Sequence, residues 1–149
     1  MAPLVVQLVA WGGFWIAGRM GLLPAAATAP GALRFALALL FVFTAVAHFV
    51  PRTRNEMVRM VPPGFPSPVA LVALTGVLEL AGAVGLLVAP YVRAAALALA
   101  ALLVLMFPAN AHAARARLPI AGRQAMPLVP RLLLQLFWIG CLLWVAAAN

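Results

Sequence analysis

Four apolar runs, each opened by proline, decide what this chain can fold into. They cover residues 31–50, 67–89, 93–113 and 128–148. A helix rises ~1.5 Å per residue, so about 20 residues cross the ~30 Å hydrocarbon core of a bilayer. Pro30, Pro66 and Pro68, Pro90, and Pro127 and Pro130 stand at the starts of the runs. A missing backbone N–H is harmless there, because the first turn of a helix has no internal partner for it. With 67% hydrophobic and 8% charged residues, a water-soluble globule of 149 residues has too little polar surface to cover its apolar one. The expected fold is therefore all-α, a transmembrane helical bundle in a single integral membrane domain whose solvent is the lipid bilayer. The connection at 89–91 is so short that the second and third runs must pack as an antiparallel hairpin.

Residues 1–24 read as an additional, weaker N-terminal span. A cleaved signal peptide is the competing reading, with small residues at Ala25, Ala26 and Ala27, but no basic residue precedes the apolar stretch at Leu4. Charge supports a retained span. All ten basic residues are arginine, and Arg52, Arg54, Arg59, Arg115, Arg117, Arg123 and Arg131 fall on one side of the expected bundle, against Arg19, Arg34 and Arg93 on the other. The positive-inside rule makes the richer side, with loops 51–66 and 114–127, cytoplasmic. Arginines placed at the ends of apolar runs meet lipid headgroups, so nucleic acid is not an expected partner. Segment 51–65 has two readings. One is an interfacial helix with Met57, Met60 and Val61 on one face and Arg52, Asn55, Glu56 and Arg59 on the other; the second is a plain solvated loop ended by Pro62 and Pro63.

Few polar side chains lie inside the runs, and each costs free energy in hydrocarbon unless it faces the bundle interior. Glu79 sits near the middle of its span, on a helical face shared with Thr75, Gly76, Gly82 and Ala83, where small residues let a neighbour approach closely. It reads either as a proton-accepting or ligand-holding carboxylate or as a structural residue paired with arginine. In the preceding span Arg34, Thr44 and His48 face one groove. Arg34 is the expected partner of Glu79, and His48, near the cytoplasmic end, is expected to lie too far away. His48 itself reads either as an interfacial histidine bonded to a helix end or as a proton relay or headgroup contact. In FPANAH, residues 107–112, Pro108 should bend the helix or free a carbonyl. Asn110 and His112 face opposite ways, with Asn110 expected inside and sharing a polar mouth with His48. Arg131, Gln135 and Trp138 share a face of the last span, and Gln135 completes the expected polar interior. Trp144, Tyr91 and Phe65 read as interfacial anchors. The lone Cys141 reads as a packing residue and excludes an intramolecular disulfide or a CxxC pair. No metal site is expected, since His48, His112 and Glu79 differ in depth. No haem-ligand pair or glycine-rich nucleotide fingerprint is present, so no intrinsic cofactor is expected either.

The order LRFALALLFVFTAVAHF, MVPPGFPSP, LTGVLELAGAVGLL, a basic turn and FPANAH resembles the DoxX family of small bacterial membrane proteins, across residues 32–113. The resemblance implies a four-helix membrane bundle of the bacterial inner membrane, here with an added N-terminal span. Arg34, His48, Phe49, Gly76, Glu79, Gly82, Pro108, Ala109 and Asn110 match the family's pattern. It also implies association with redox proteins, similarity to a quinone-reducing thiosulfate oxidoreductase subunit and a link to oxidative stress. The dithiol chemistry of distant relatives is excluded by the single cysteine.

The leading expectation is an accessory or redox-complex-associated membrane subunit, without catalytic residues of its own, that binds a lipophilic molecule, a quinone or a lipid. Arg34, His48, Glu79, Asn110 and Gln135 form its ligand-binding set, with Gly76, Gly82 and Pro108 structural. A redox partner protein supplies the electrons in this reading, and a homo-oligomer is compatible with it. The alternatives are a small proton-coupled transporter using Glu79, and an isomerase-like membrane enzyme, which would need Glu79 and His48 within reach of one substrate.

Overall fold

The structure is a computed structural model that describes residues 2–120, 123, 124 and 126–149. It is an all-α bundle with, among the described residues, six α-helices: α1 (Ala2–Arg19), α2 (Ala29–Phe49), α3 (Pro51–Met60), α4 (Pro68–Leu87), α5 (Val92–Arg115) and α6 (Leu128–Ala147). Among the described residues four helices are long and apolar enough to cross a membrane: α2, α4, α5 with the turn before it, and α6. The chain is a multi-pass membrane protein.

Boundaries follow local chemistry. At α2 the Thr28 hydroxyl accepts from the Gly31 N–H at 3.1 Å, and Pro30 sits inside the first turn rather than before it. At α4 Ser67 takes a left-handed conformation (φ 46°) and Pro68 starts the helix. A single 3-10 turn at Ala89–Tyr91 joins α4 to α5, which pack side by side as expected. The N-terminal element is shorter than the expected 1–24. Gly21 adopts φ +78°, its N–H bonds Gly18 O and the Leu22 N–H bonds Ala17 O, so a glycine C-cap closes α1 at Arg19. Segment 51–65 resolves in favour of the helix, α3, which ends at Met60 before Pro62 and Pro63. The 114–127 connection contains a short antiparallel pairing of Pro119–Ile120 with Arg123–Gln124; residues 121, 122 and 125 lie outside those described.

Helix α2 is the centre of the bundle. It packs against α1, α4 and α6, and buries Leu33, Leu37, Leu40 and Phe41 with Ala83 and Leu86 of α4, Leu99 of α5, and Leu142 and Val145 of α6. Large apolar side chains such as Val77, Leu105 and Leu133 point outward, as a hydrocarbon solvent allows. Close approach needs glycine at several places, two of them on the face that carries Glu79. A Cβ on Gly76 would lie 2.7 Å from His48 Cβ, and one on Gly82 would collide with the Leu99 side chain. The face shared by Gly76 and Gly82 is thus divided between two neighbours, α2 and α5. Helix α1 runs antiparallel to α2: Pro3 lies with His48 on one cavity wall, while the Trp11 indole donates to Ala29 O at 3.0 Å.

Candidate functional site

A cavity of about 570 Å³ opens between α2, α4, α5 and α6, covered by α3 and reached by Pro3 of α1. Its walls are chiefly leucine, methionine and phenylalanine. The polar groups on it are Thr44, His48, Thr75, Glu79, Asn110 and Arg131. A mostly apolar pocket with a few convergent polar groups, of a size between ~300 and 1,000 Å³, is the usual form of a small-molecule site.

Glu79 faces protein and not the surrounding hydrocarbon, with 3% of its surface exposed. Thr44 donates to its Oε2 at 2.8 Å, and Phe41 O lies 3.2 Å from the same hydroxyl. His48 Nε2 lies 3.7 Å from Oε1. The opposite ring nitrogen, Nδ1, is 2.8 Å from Val72 O and 3.2 Å from the Thr75 hydroxyl, which itself donates to Val72 O at 2.9 Å. A carbonyl oxygen only accepts, so Nδ1 carries a hydrogen. Nε2 therefore faces the carboxyl, at a distance longer than a hydrogen bond and within that of an ion pair.

Arg34 is not the partner of Glu79, and His48 is not too distant for contact. Both corrections have one cause. Helices α2 and α4 are antiparallel and offset, so that His48 lies against Val72 and Gly76, and Thr44 reaches Glu79. Arg34 is ten residues from Thr44, or ~15 Å along the axis, beyond the reach of its side chain. Side chains also lean toward their own helix N-terminus, which tilts His48 inward along α2 and Glu79 toward it along α4. The depth objection to an acid and base acting together is thereby removed. Arg34 stays buried near the far end, its guanidinium 4.8 Å above the Phe35 ring and its Nε without a hydrogen-bond partner among the described residues.

The second polar cluster is at the α5–α6 wall. Arg131 Nη1 donates to Asn110 Oδ1 at 2.7 Å, Asn110 Nδ2 donates to Gln135 Oε1 at 3.4 Å, and Gln135 Nε2 donates to Leu103 O at 2.9 Å. Asn110 is the inward residue of FPANAH and shares the cavity with His48; His112 lines a separate recess with Pro62, Phe65 and Arg115. Gln135 stands behind Asn110 and is not on the cavity wall. Pro108 has no N–H for Val104 O, yet α5 stays helical through it.

Three contributors had weaker signals. Thr44 and Thr75 belong to the polar stripes but supply hydroxyls too common to single out. Gln7 is fully buried, accepts from the Trp138 indole at 2.6 Å and donates to Cys141 Sγ at 3.7 Å. Its signal was the one that marked Glu79 and Gln135, a lone polar residue inside an apolar run. Trp144 packs edge-to-face on Trp11 with centroids 6.1 Å apart, so this indole is also a helix contact. Among the described residues no group of histidine, cysteine and carboxylate side chains has the arrangement of a metal site.

A family model described as a domain of unknown function, DUF8561, matches residues 37–146. The matched range holds every polar group of the cavity and leaves out Arg34 and α1. No curated protein and no solved structure matches the chain.

Proposed function

Since this chain belongs to the DUF8561 family, a domain of unknown function, we propose its role from the site itself: it binds a lipophilic small molecule inside the membrane. The observation that carries this reading is the cavity of about 570 Å³, apolar on most of its wall, into which the Glu79–His48 pair and the Arg131–Asn110 pair both project. An amphipathic molecule, a quinone or a lipid, would lay its tail among Leu71, Leu74, Leu78 and Leu102. Its carbonyl or hydroxyl would meet one of the two polar pairs. The resemblance to DoxX proteins supports the finer reading, an accessory subunit of a redox complex in the bacterial inner membrane, with electrons supplied by a partner protein. The arginine-rich end then faces the cytoplasm.

The test is extraction of the purified protein followed by mass spectrometry of co-purified lipids and quinones. One amphiphile at near-stoichiometric amount, lost or exchanged in Glu79→Gln, is the expected result. Repeatedly empty preparations with an indifferent Glu79→Gln variant would overturn it.

The closeness of His48 to Glu79 favours one second reading, a proton-coupled transporter in which this pair takes up and releases the proton. Flux in proteoliposomes driven by a pH gradient and abolished by Glu79→Gln would select it.

A further inference from the structure

We infer that the occupant of the cavity is a single-chain amphiphile with a carboxylate head, of the fatty-acid type, and that Arg131 is the residue that holds the head. The inference rests on the ligand-binding role proposed above and narrows it to one chemical class.

Charge balance on the cavity wall is the first observation. Among the described residues the ionisable side chains there are His48, Glu79 and Arg131. Glu79 is already engaged there, with the Thr44 hydroxyl on Oε2 at 2.8 Å and His48 Nε2 3.7 Å from Oε1. Arg131 is the cation of this wall with no acid beside it. Among the described residues no carboxylate lies within ion-pair distance of it; its polar contact is the neutral Asn110. A guanidinium at an apolar cavity without a counter-ion is an electrostatic vacancy for one negative charge.

Donor geometry is the second. Asn110 occupies Nη1, while Nε is shielded from water and bonded to nothing. Nε–H and the nearer N–H of Nη2 point the same way and form the side-on fork that matches a carboxylate. Because Nε is enclosed, a slight turn of the guanidinium must accompany binding, and the new bonds satisfy a donor whose burial otherwise costs free energy.

Cavity shape is the third. Below Arg131 the wall is Leu102, Met106, Leu78 and Leu74, suited to an acyl chain. At the mouth Met57 and Met60 of α3 offer adaptable apolar contacts. One guanidinium balances one charge, which fits a carboxylate better than a phosphate monoester carrying nearly two.

Trp138 lines the same cavity and serves as reporter. Full-length protein in phosphatidylcholine nanodiscs is titrated with 12-doxylstearic acid, its methyl ester, decylubiquinone and dioleoylphosphatidylglycerol. Tryptophan quenching is read, with Trp138→Phe as the control that removes the signal. The expected result is saturable quenching by the acid, with the ester and the quinone at least about tenfold weaker as quenchers or competitors. Arg131→Gln should abolish that preference and Arg131→Lys restore part of it. Equal binding of acid and ester to the unmodified protein needs no variant to fold, and it would overturn the carboxylate assignment while leaving the ligand-binding role intact. So would an unchanged preference in Arg131→Gln, or displacement of the quencher by the two-chain lipid as readily as by unlabelled stearic acid added as a reference competitor. Failure of every probe to bind would remove both.

Discussion

The polar residues of the bundle interior stand or fall by their partners. Glu79 has Thr44 and His48, His48 has Val72 O, and Gln7 links Trp138 to Cys141. Interhelical hydrogen bonds in membrane bundles contribute only ~0.6 kcal/mol on average, because the separated helices also find partners. The buried His48–Glu79 pair should exceed that, since removing one member leaves the other buried without its partner. A double-mutant cycle on His48→Ala and Glu79→Gln, read by denaturant unfolding in micelles, is expected to give a coupling energy of about 2 kcal/mol. A coupling near zero would mean that the two side chains are neighbours without an energetic link. Arg34 shows how a reasonable pairing fails at this scale: the charges are complementary, but ~15 Å of helix separates the levels at which they sit.

At the scale of elements, close approach of helices decides which polar groups meet. Gly76 lets α4 seat against His48 and Phe49, and that seating sets the offset that brings Glu79 to Thr44. Gly76→Ala must push α2 away, and a loss of ~1–3 kcal/mol is expected, as for overpacking elsewhere. Gly140 has open space around its missing Cβ, so Gly140→Ala should be neutral or stabilising by up to about 1 kcal/mol. Thermal unfolding of both variants in one detergent compares them directly; equal effects would show that contact at Gly76 does not determine the α2–α4 packing. Helix α3 puts its apolar side to a use that periodicity does not reveal. Met57, Met60, Val61 and then Phe65 cover a cavity in their own chain.

For the whole molecule, helix alternation collects Arg52, Arg54, Arg59, Arg115, Arg117, Arg123 and Arg131 at one end of the bundle, which is why we propose that end as the cytoplasmic one. A cysteine at exposed Asn55, with Cys141→Ser as background, should react with a membrane-impermeant maleimide in inside-out vesicles and not in right-side-out ones. The reverse pattern would invert the topology and put the cavity mouth on the outer face. The helices and most of their limits are legible in the sequence because backbone hydrogen bonds in hydrocarbon must close within each segment. Local length, proline and glycine therefore suffice to mark them. The inward direction of Glu79 is legible for the same kind of reason, since a carboxyl facing lipid is too costly. What the residues alone left open was which polar side chain faces which. That depends on the axial offset between antiparallel helices, a quantity of several ångströms set by contacts such as Gly76 against His48, and a one-turn shift of ~5.4 Å is enough to exchange one partner for another. Tertiary packing therefore chose His48 over Arg34 for Glu79, and left Arg131 on the cavity wall without a carboxylate.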